Sequence, residues 1–225
     1  MEESGKTDQR KKKVSEGRTF PVPFALEESQ ENITIITHTP KQPSKEEIIN
    51  QAFKFHSQGN IQEAAKYYQY CIDQGFNDHR VFTNFGGLLI DLGKFKEAEL
   101  STQKALELNP GFPEAHLNLG NIFRVLGKLK EAELSTRKAI GLNPNFAMAH
   151  SNLGNILSDL GKFQEAELSL RNAIKLSPDL AEAHSNLGSI LSDLGKFQEA
   201  ELSLRNAIAL SPDLAEAYSN LGNVF

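Results

Sequence analysis

A single cysteine, Cys71, in 225 residues excludes an internal disulfide framework and any multi-cysteine metal site, and it fits a reducing compartment. No apolar run reaches the ~18 residues of a membrane-spanning helix, and the N-terminus lacks the apolar core of a secretory signal. The expected location is therefore cytoplasmic. No nucleophile paired with a base, phosphate-binding loop or dinucleotide fingerprint occurs, so no catalytic centre, cofactor or metal is expected. Strong positive charge is missing too. Net charge is −5; residues 1–44 carry seven basic and seven acidic side chains, which leaves 17 basic and 22 acidic ones in residues 45–225. An acidic body without clustered Lys and Arg is not built for a nucleic-acid backbone.

Residues 1–44 read as a disordered tail. They mix charge with Pro21, Pro23, Pro40 and Pro43, show no helical period, and cannot bury enough apolar surface to offset ordering entropy. Phe20 to Leu26 and the β-branched stretch Ile33 to Thr37 are candidate short docking segments within it. The basic run Arg10 to Lys13 is balanced by Asp8 and Glu16. Order is expected from Ser44, whose hydroxyl can cap a helix while Glu47 reaches back as the other half of a capping box.

From Lys45 onward the chain repeats every 34 residues: 45–78, 79–112, 113–146, 147–180, 181–214, and a partial unit 215–225. Ala147 to Leu180 and Ala181 to Leu214 differ only at Met148/Glu182, Asn155/Ser189 and Lys175/Ala209, so 31 of 34 positions match, as expected of a recent duplication. Each unit reads as two helices. The first carries residues such as His150, Leu153 and Leu157 at helical spacing, with Gly154 allowing close approach of a neighbour. Gly161 stops it. The second carries Phe163, Ala166, Leu170, Ala173 and Leu176, and Ser177-Pro178 is expected to end it and cap the next unit.

This pattern resembles the tetratricopeptide repeat. Its landmarks recur in register: a small residue at position 8 (Ala52, Gly86, Gly120, Gly154, Gly188, Gly222), alanine at 20 (Ala64, Ala98, Ala132, Ala166, Ala200) and proline at 32 (Pro110, Pro144, Pro178, Pro212). The family's usual tryptophan at position 4 is replaced by Ile48, Phe82, His116, His150, His184 and Tyr218, and residues 45–78 lack the proline, which marks them as a capping repeat. The resemblance implies an all-α, right-handed superhelical solenoid of antiparallel helix pairs. His116, His150 and His184 lie in separate hairpins, at least a helix spacing of ~8–10 Å apart, so they are expected to be structural and not to share a metal ion.

The resemblance also implies a concave groove lined by first-helix positions 2, 5, 6, 9, 12 and 13. It places Asn84, Asn118, Asn152, Asn186 and Asn220 in one longitudinal row at position 6, with Asn121, Asn155, Ser189 and Asn223 beside them at position 9. Asp91, Asp159 and Asp193 form an acidic strip at position 13. An amide both donates and accepts, so such a row suits a peptide backbone. It is similar to the asparagine ladder in the repeat region of protein O-GlcNAc transferases, whereas the lysines of a carboxylate clamp are missing at Leu117, Ser151, Glu182 and Asn186. The expected function is a non-catalytic protein-interaction scaffold that binds an extended, basic or neutral polypeptide segment. The alternative is the substrate-recruiting part of a larger transferase whose catalytic domain lies outside this chain. Because the last helix ends with Leu221, Val224 and Phe225 unpartnered, continuation of the chain or self-association through that end is also expected.

Overall fold

The computed structural model describes residues 43–224, so the tail and its two candidate docking segments lie outside the described residues, as does Phe225. Among the described residues there are eleven helices and no strand: α1 Lys45–Ser57, α2 Ile61–Asp73, α3 His79–Asp91, α4 Phe95–Leu108, α5 Pro113–Val125, α6 Leu129–Leu142, α7 Ala147–Asp159, α8 Phe163–Leu176, α9 Ala181–Asp193, α10 Phe197–Leu210 and α11 Ala215–Gly222. Each 34-residue unit is one antiparallel pair, and the pairs stack into an all-α solenoid.

The first helix starts where the sequence says it should. The Glu47 amide donates to Ser44 Oγ at 3.3 Å and the Ser44 amide donates to Glu47 Oε2 at 2.6 Å, closing the capping box. Those bonds hold the Glu47 carboxyl below its ordinary value. Between the two helices of each complete unit a glycine takes the left-handed conformation, as at Gly161 with φ of 72°, where a side chain would be strained.

Within a unit the two helices meet at position 8. A Cβ added to Gly154 would lie 2.6 Å from Leu170 Cγ, and one added to Gly188 would lie 2.5 Å from Leu204 Cγ, so only glycine lets the second helix seat its leucine there. In the first unit the equivalent second-helix residue is Tyr68, which is fully buried, accepts or donates a 2.9 Å bond with His56 Nδ1, and sits among Phe53 and Phe85. Burial pushes the Tyr68 phenol well above its ordinary range, and it does the same, more mildly, to the Cys71 thiol. Cys71 is fully buried beside Ala64 and is a packing residue, as expected.

One local expectation changes. Ser177 is the C-cap of α8 and its hydroxyl donates to Asp179 Oδ1 at 2.6 Å; the N-cap of α9 is Leu180, with no side-chain bond. Ser177-Pro178 therefore terminates one unit but does not cap the next. The proline's carbonyl has a different partner: His184 Nε2–H donates to Pro178 O at 3.0 Å, as His150 does to Pro144 O at 3.0 Å and His116 to Pro110 O at 2.9 Å. In the last unit the Tyr218 hydroxyl donates to Pro212 O at 3.1 Å. From His116 onward the position-4 side chains thus tie the proline-bearing inter-unit loops to the helices that follow them, whereas Phe82, at the same position of α3, makes no such bond. They are structural groups with their own backbone acceptors.

Between units the two faces of the stack differ. First helices pack on the first helices of the next unit, α3 on α5, α5 on α7 and α7 on α9, and each second helix packs on the following first helix, but consecutive second helices do not touch through their backbones. First helices therefore form the closely spaced inner wall and second helices the splayed outer one.

Candidate peptide-binding groove

Side chains on the inner wall come from one stripe of each first helix, because positions 2, 5, 6, 9, 12 and 13 recur at helical spacing; position 5 is the buried edge of that stripe, with Leu117 in the core and Ser151 and Ser185 covered as well. Across α7 and α9 this stripe opens into a cleft of about 680 Å³. Asn152, Asn155, Asn186 and Ser189 line it together with Asp159, so five of the sequence-selected positions do share one surface. Asn84, Asn118, Asn121 and Asp91 hold the same positions on α3 and α5, and Asn220 and Asn223 on α11 and its C-cap, beyond the walls of that cleft.

The asparagine row is partly occupied by the array itself. Asn84 Nδ2 donates to Arg80 O at 2.9 Å, Asn118 Nδ2 to Thr83 O at 3.0 Å, and Asn152 Nδ2 to Asn121 Oδ1 at 2.7 Å. The last two bonds cross from one unit to the preceding one, so these residues brace the inner wall as well as facing the groove. Their carbonyl oxygens and the whole amide of Asn186 make no bond to another described residue, and Asn186 is the member of the row with both donor and acceptor available inside the cleft.

The acidic strip is likewise uneven. Asp91, Asp159 and Asp193 are the final residues of α3, α7 and α9, where the helix dipole disfavours a carboxylate. Asp159 is compensated by Arg124, whose Nε donates to Asp159 Oδ2 at 2.6 Å across a unit boundary. Asp91 and Asp193 are exposed, without an ion pair among the described residues.

Sequence reasoning missed Glu182 and Glu216, both at position 2, as well as Met148, Arg124, Leu180 and Ile190, all of which line the cleft. The signal for Glu182, Glu216 and Met148 is their place at position 2, one of the groove positions, although that position varies in identity from unit to unit. With Asp159, Glu182 and Glu216 against Arg124, the lining is net acidic. Among the described residues no three His, Cys, Asp or Glu side chains are placed to hold a metal ion, and no helix is long and apolar enough to cross a membrane.

Comparison with known proteins agrees with this architecture. Family models described as TPR repeat match residues 154–195 and 188–225, and models described as tetratricopeptide repeat match 113–146 and 79–112. No curated protein matches significantly. Among solved structures, the APC/C hetero-tetramer Cut9–Hcn1 superposes with a TM-score of 0.76 at 20% identity, over 81% of this chain and 36% of that one, so this chain spans about a third of that relative. TTC0263, a thermophilic TPR protein of Thermus thermophilus, gives 0.68 at 18% identity over 80% and 98% of the two chains. YrrB, described as a TPR protein with an unusual peptide-binding site, gives 0.57 at 23% identity over 78% and 91%. At these identities the likeness is one of fold. Helix pairs of 34 residues, the position-8 glycines and family matches across most of residues 79–225 lead to one conclusion: the chain belongs to the tetratricopeptide repeat family, a fold of protein–protein interaction scaffolds.

Proposed function

We propose that the array is a non-catalytic scaffold that holds an extended, basic or neutral polypeptide segment along its inner wall. The observation that carries this reading is the 680 Å³ cleft, where the amides of Asn152, Asn155 and Asn186 stand beside Asp159, Glu182 and Glu216 on one surface. An extended peptide rises ~3.3 Å per residue, so about three residues pass each ~10 Å unit and present one peptide group per unit to the asparagine row. The carboxylates favour a ligand with positive or no charge and disfavour an acidic one. The peptide-binding site for which YrrB is described lends the reading support by analogy of fold. A transferase using the same groove to recruit its substrate is the narrower version, and it rests on the asparagine row alone.

The test uses a peptide selected on the array from a random library. Asn186→Ala removes a site that the array does not use, so binding should weaken by about 0.5–1.5 kcal/mol with folding unchanged. The five-fold replacement at Asn84, Asn118, Asn152, Asn186 and Asn220 should abolish binding, while circular dichroism confirms the helices. Affinity should also fall with added salt if the carboxylates contribute. Equal affinity of wild type and the five-fold variant would remove the asparagines from the site and refute the reading.

A further inference from the structure

The outer wall carries an apolar row that neither the core nor the groove accounts for. Leu100, Leu134, Leu168 and Leu202, all at position 22, are 62–73% exposed, the most exposed large apolar side chains among the described residues. The residue just before each is a glutamate, and two of these, Glu133 and Glu167, are turned inward to only 17% and 14% exposure beneath their ion pairs. The chain thus buries the charge and displays the leucine. Copying alone is a weak explanation, since α4 and α8 differ at six of fourteen positions and both retain it. Isolated exposed leucines need no cause, but four that recur at one position of consecutive units make a row.

Two further observations say what covers it. Beside Leu202 the gap between α8 and α10 forms a groove of about 350 Å³, floored by Ile174 and Leu187 and bordered by Arg171 and Lys175, with no carboxylate in its lining. Upstream, Lys96 and Lys104 flank Leu100 one turn either side, and Lys130 and Lys138 flank Leu134 in the same way; of these four only Lys104 has an ion pair. Glu97, three residues before Leu100, is paired with Lys94; Glu131, three residues before Leu134, has no ion pair among the described residues; and Glu133 on α6, Glu165 and Glu167 on α8 and Glu199 on α10 are engaged by basic side chains. The outer row is therefore apolar with available cations beside it, the opposite of the acidic, amide-lined inner wall. We propose that this face is a second docking surface, for an acidic amphipathic helix that lays its apolar side on the leucine row and its carboxylates against the lysines.

The probe is a synthetic amphipathic helix of leucine, alanine and glutamate, with a lysine-for-glutamate counterpart, titrated against the full chain by fluorescence anisotropy. The acidic helix should bind and the basic one should not. Replacing all four leucines by glutamine should weaken binding about tenfold or more, because truncating the central apolar contacts removes most of the energy of such an interface. The variant Lys96→Gln, Lys104→Asn, Lys130→Gln, Lys138→Asn, which installs residues already present in the last two complete units, should fold normally and weaken binding to a similar degree. The five-fold asparagine variant should bind the acidic helix like wild type, separating this face from the inner groove. No binding of the acidic helix, equal binding of the basic one, indifference to the leucine replacements, or preferential partition onto phosphatidylserine vesicles would each overturn the proposal.

Discussion

In units 79–112 and 113–146 the side chain seated over the position-8 glycine is threonine, whereas in 147–180 and 181–214 it is leucine. Thr102 satisfies its hydroxyl by donating to Ala98 O at 2.7 Å, while the Thr136 hydroxyl is buried without a partner. Leu170 and Leu204 are fully buried and raise no such question. The helices nevertheless keep the same lengths and pair in the same way, and the sequence shows how: each threonine unit carries a phenylalanine where the leucine units have leucine, Phe85 at position 7 or Phe123 at position 11. A phenylalanine in place of a leucine would offset the smaller threonine and hold volume roughly constant, as a close-packed interior requires. The two halves differ at their joints too. Arg137–Glu165, Lys162–Glu133, Arg171–Glu199 and Lys196–Glu167 pairs tie the outer wall from residue 133 onward, but among the described residues no ion pair joins 79–112 to 113–146.

The largest effect is expected where a leucine unit loses its glycine. Gly188→Val places branched carbons where Leu204 Cγ and the Ala200 carbonyl already stand, so it should cost about 3 kcal/mol and unfold the C-terminal units first in a denaturant titration followed by circular dichroism. Retention of wild-type stability would mean that the close approach is not rigid. A smaller effect tests volume compensation: Thr136→Leu should destabilise by about 2 kcal/mol through overpacking, and adding Phe123→Leu should recover much of that loss. A double-mutant cycle with no coupling would show that Phe123 does not compensate for the threonine. The smallest effect concerns the joints. The Lys196 ammonium, and then Arg171, hold the Glu167 carboxyl below its ordinary value, against the opposing effect of burial. A depressed folded pKa means stabilisation that is present above the ordinary carboxylate range and lost as pH falls through the depressed value. Glu167→Gln should therefore cost about 0.5–1 kcal/mol near neutrality and nothing in acid, whereas Glu99→Gln, which meets only Gln103, should cost little near neutrality. Equal costs of the two variants near neutrality would erase the distinction.

The architecture was legible because a 34-residue period, a positioned glycine and a capping box are local signals that the fold amplifies by repetition. The loops were less so. Ser177-Pro178 looks like a cap in one dimension, but the hydroxyl finds Asp179 two residues on, and the carbonyl of Pro178 is taken by His184, whose role as a loop tie could not be inferred from its place in a packing position. In the groove, the positions were legible and their states were not. That Asp159 is matched by Arg124, and that Asn118 and Asn152 reach back into the preceding unit, depends on how far one unit rotates against the next, which no single repeat encodes.

A strip built this way is mechanically two-sided. Its inner wall is stiff, because helix rests on helix, and its outer wall is compliant, because long flexible ion pairs span the gap between second helices. Bending about the inner wall then stretches salt-sensitive springs and leaves the buried seams intact. Added salt should soften the molecule without unfolding it. Pulled from its ends, it should yield between 79–112 and 113–146 before the joints downstream, since that joint has no such spring, and the width of the groove becomes a quantity that solution conditions can tune.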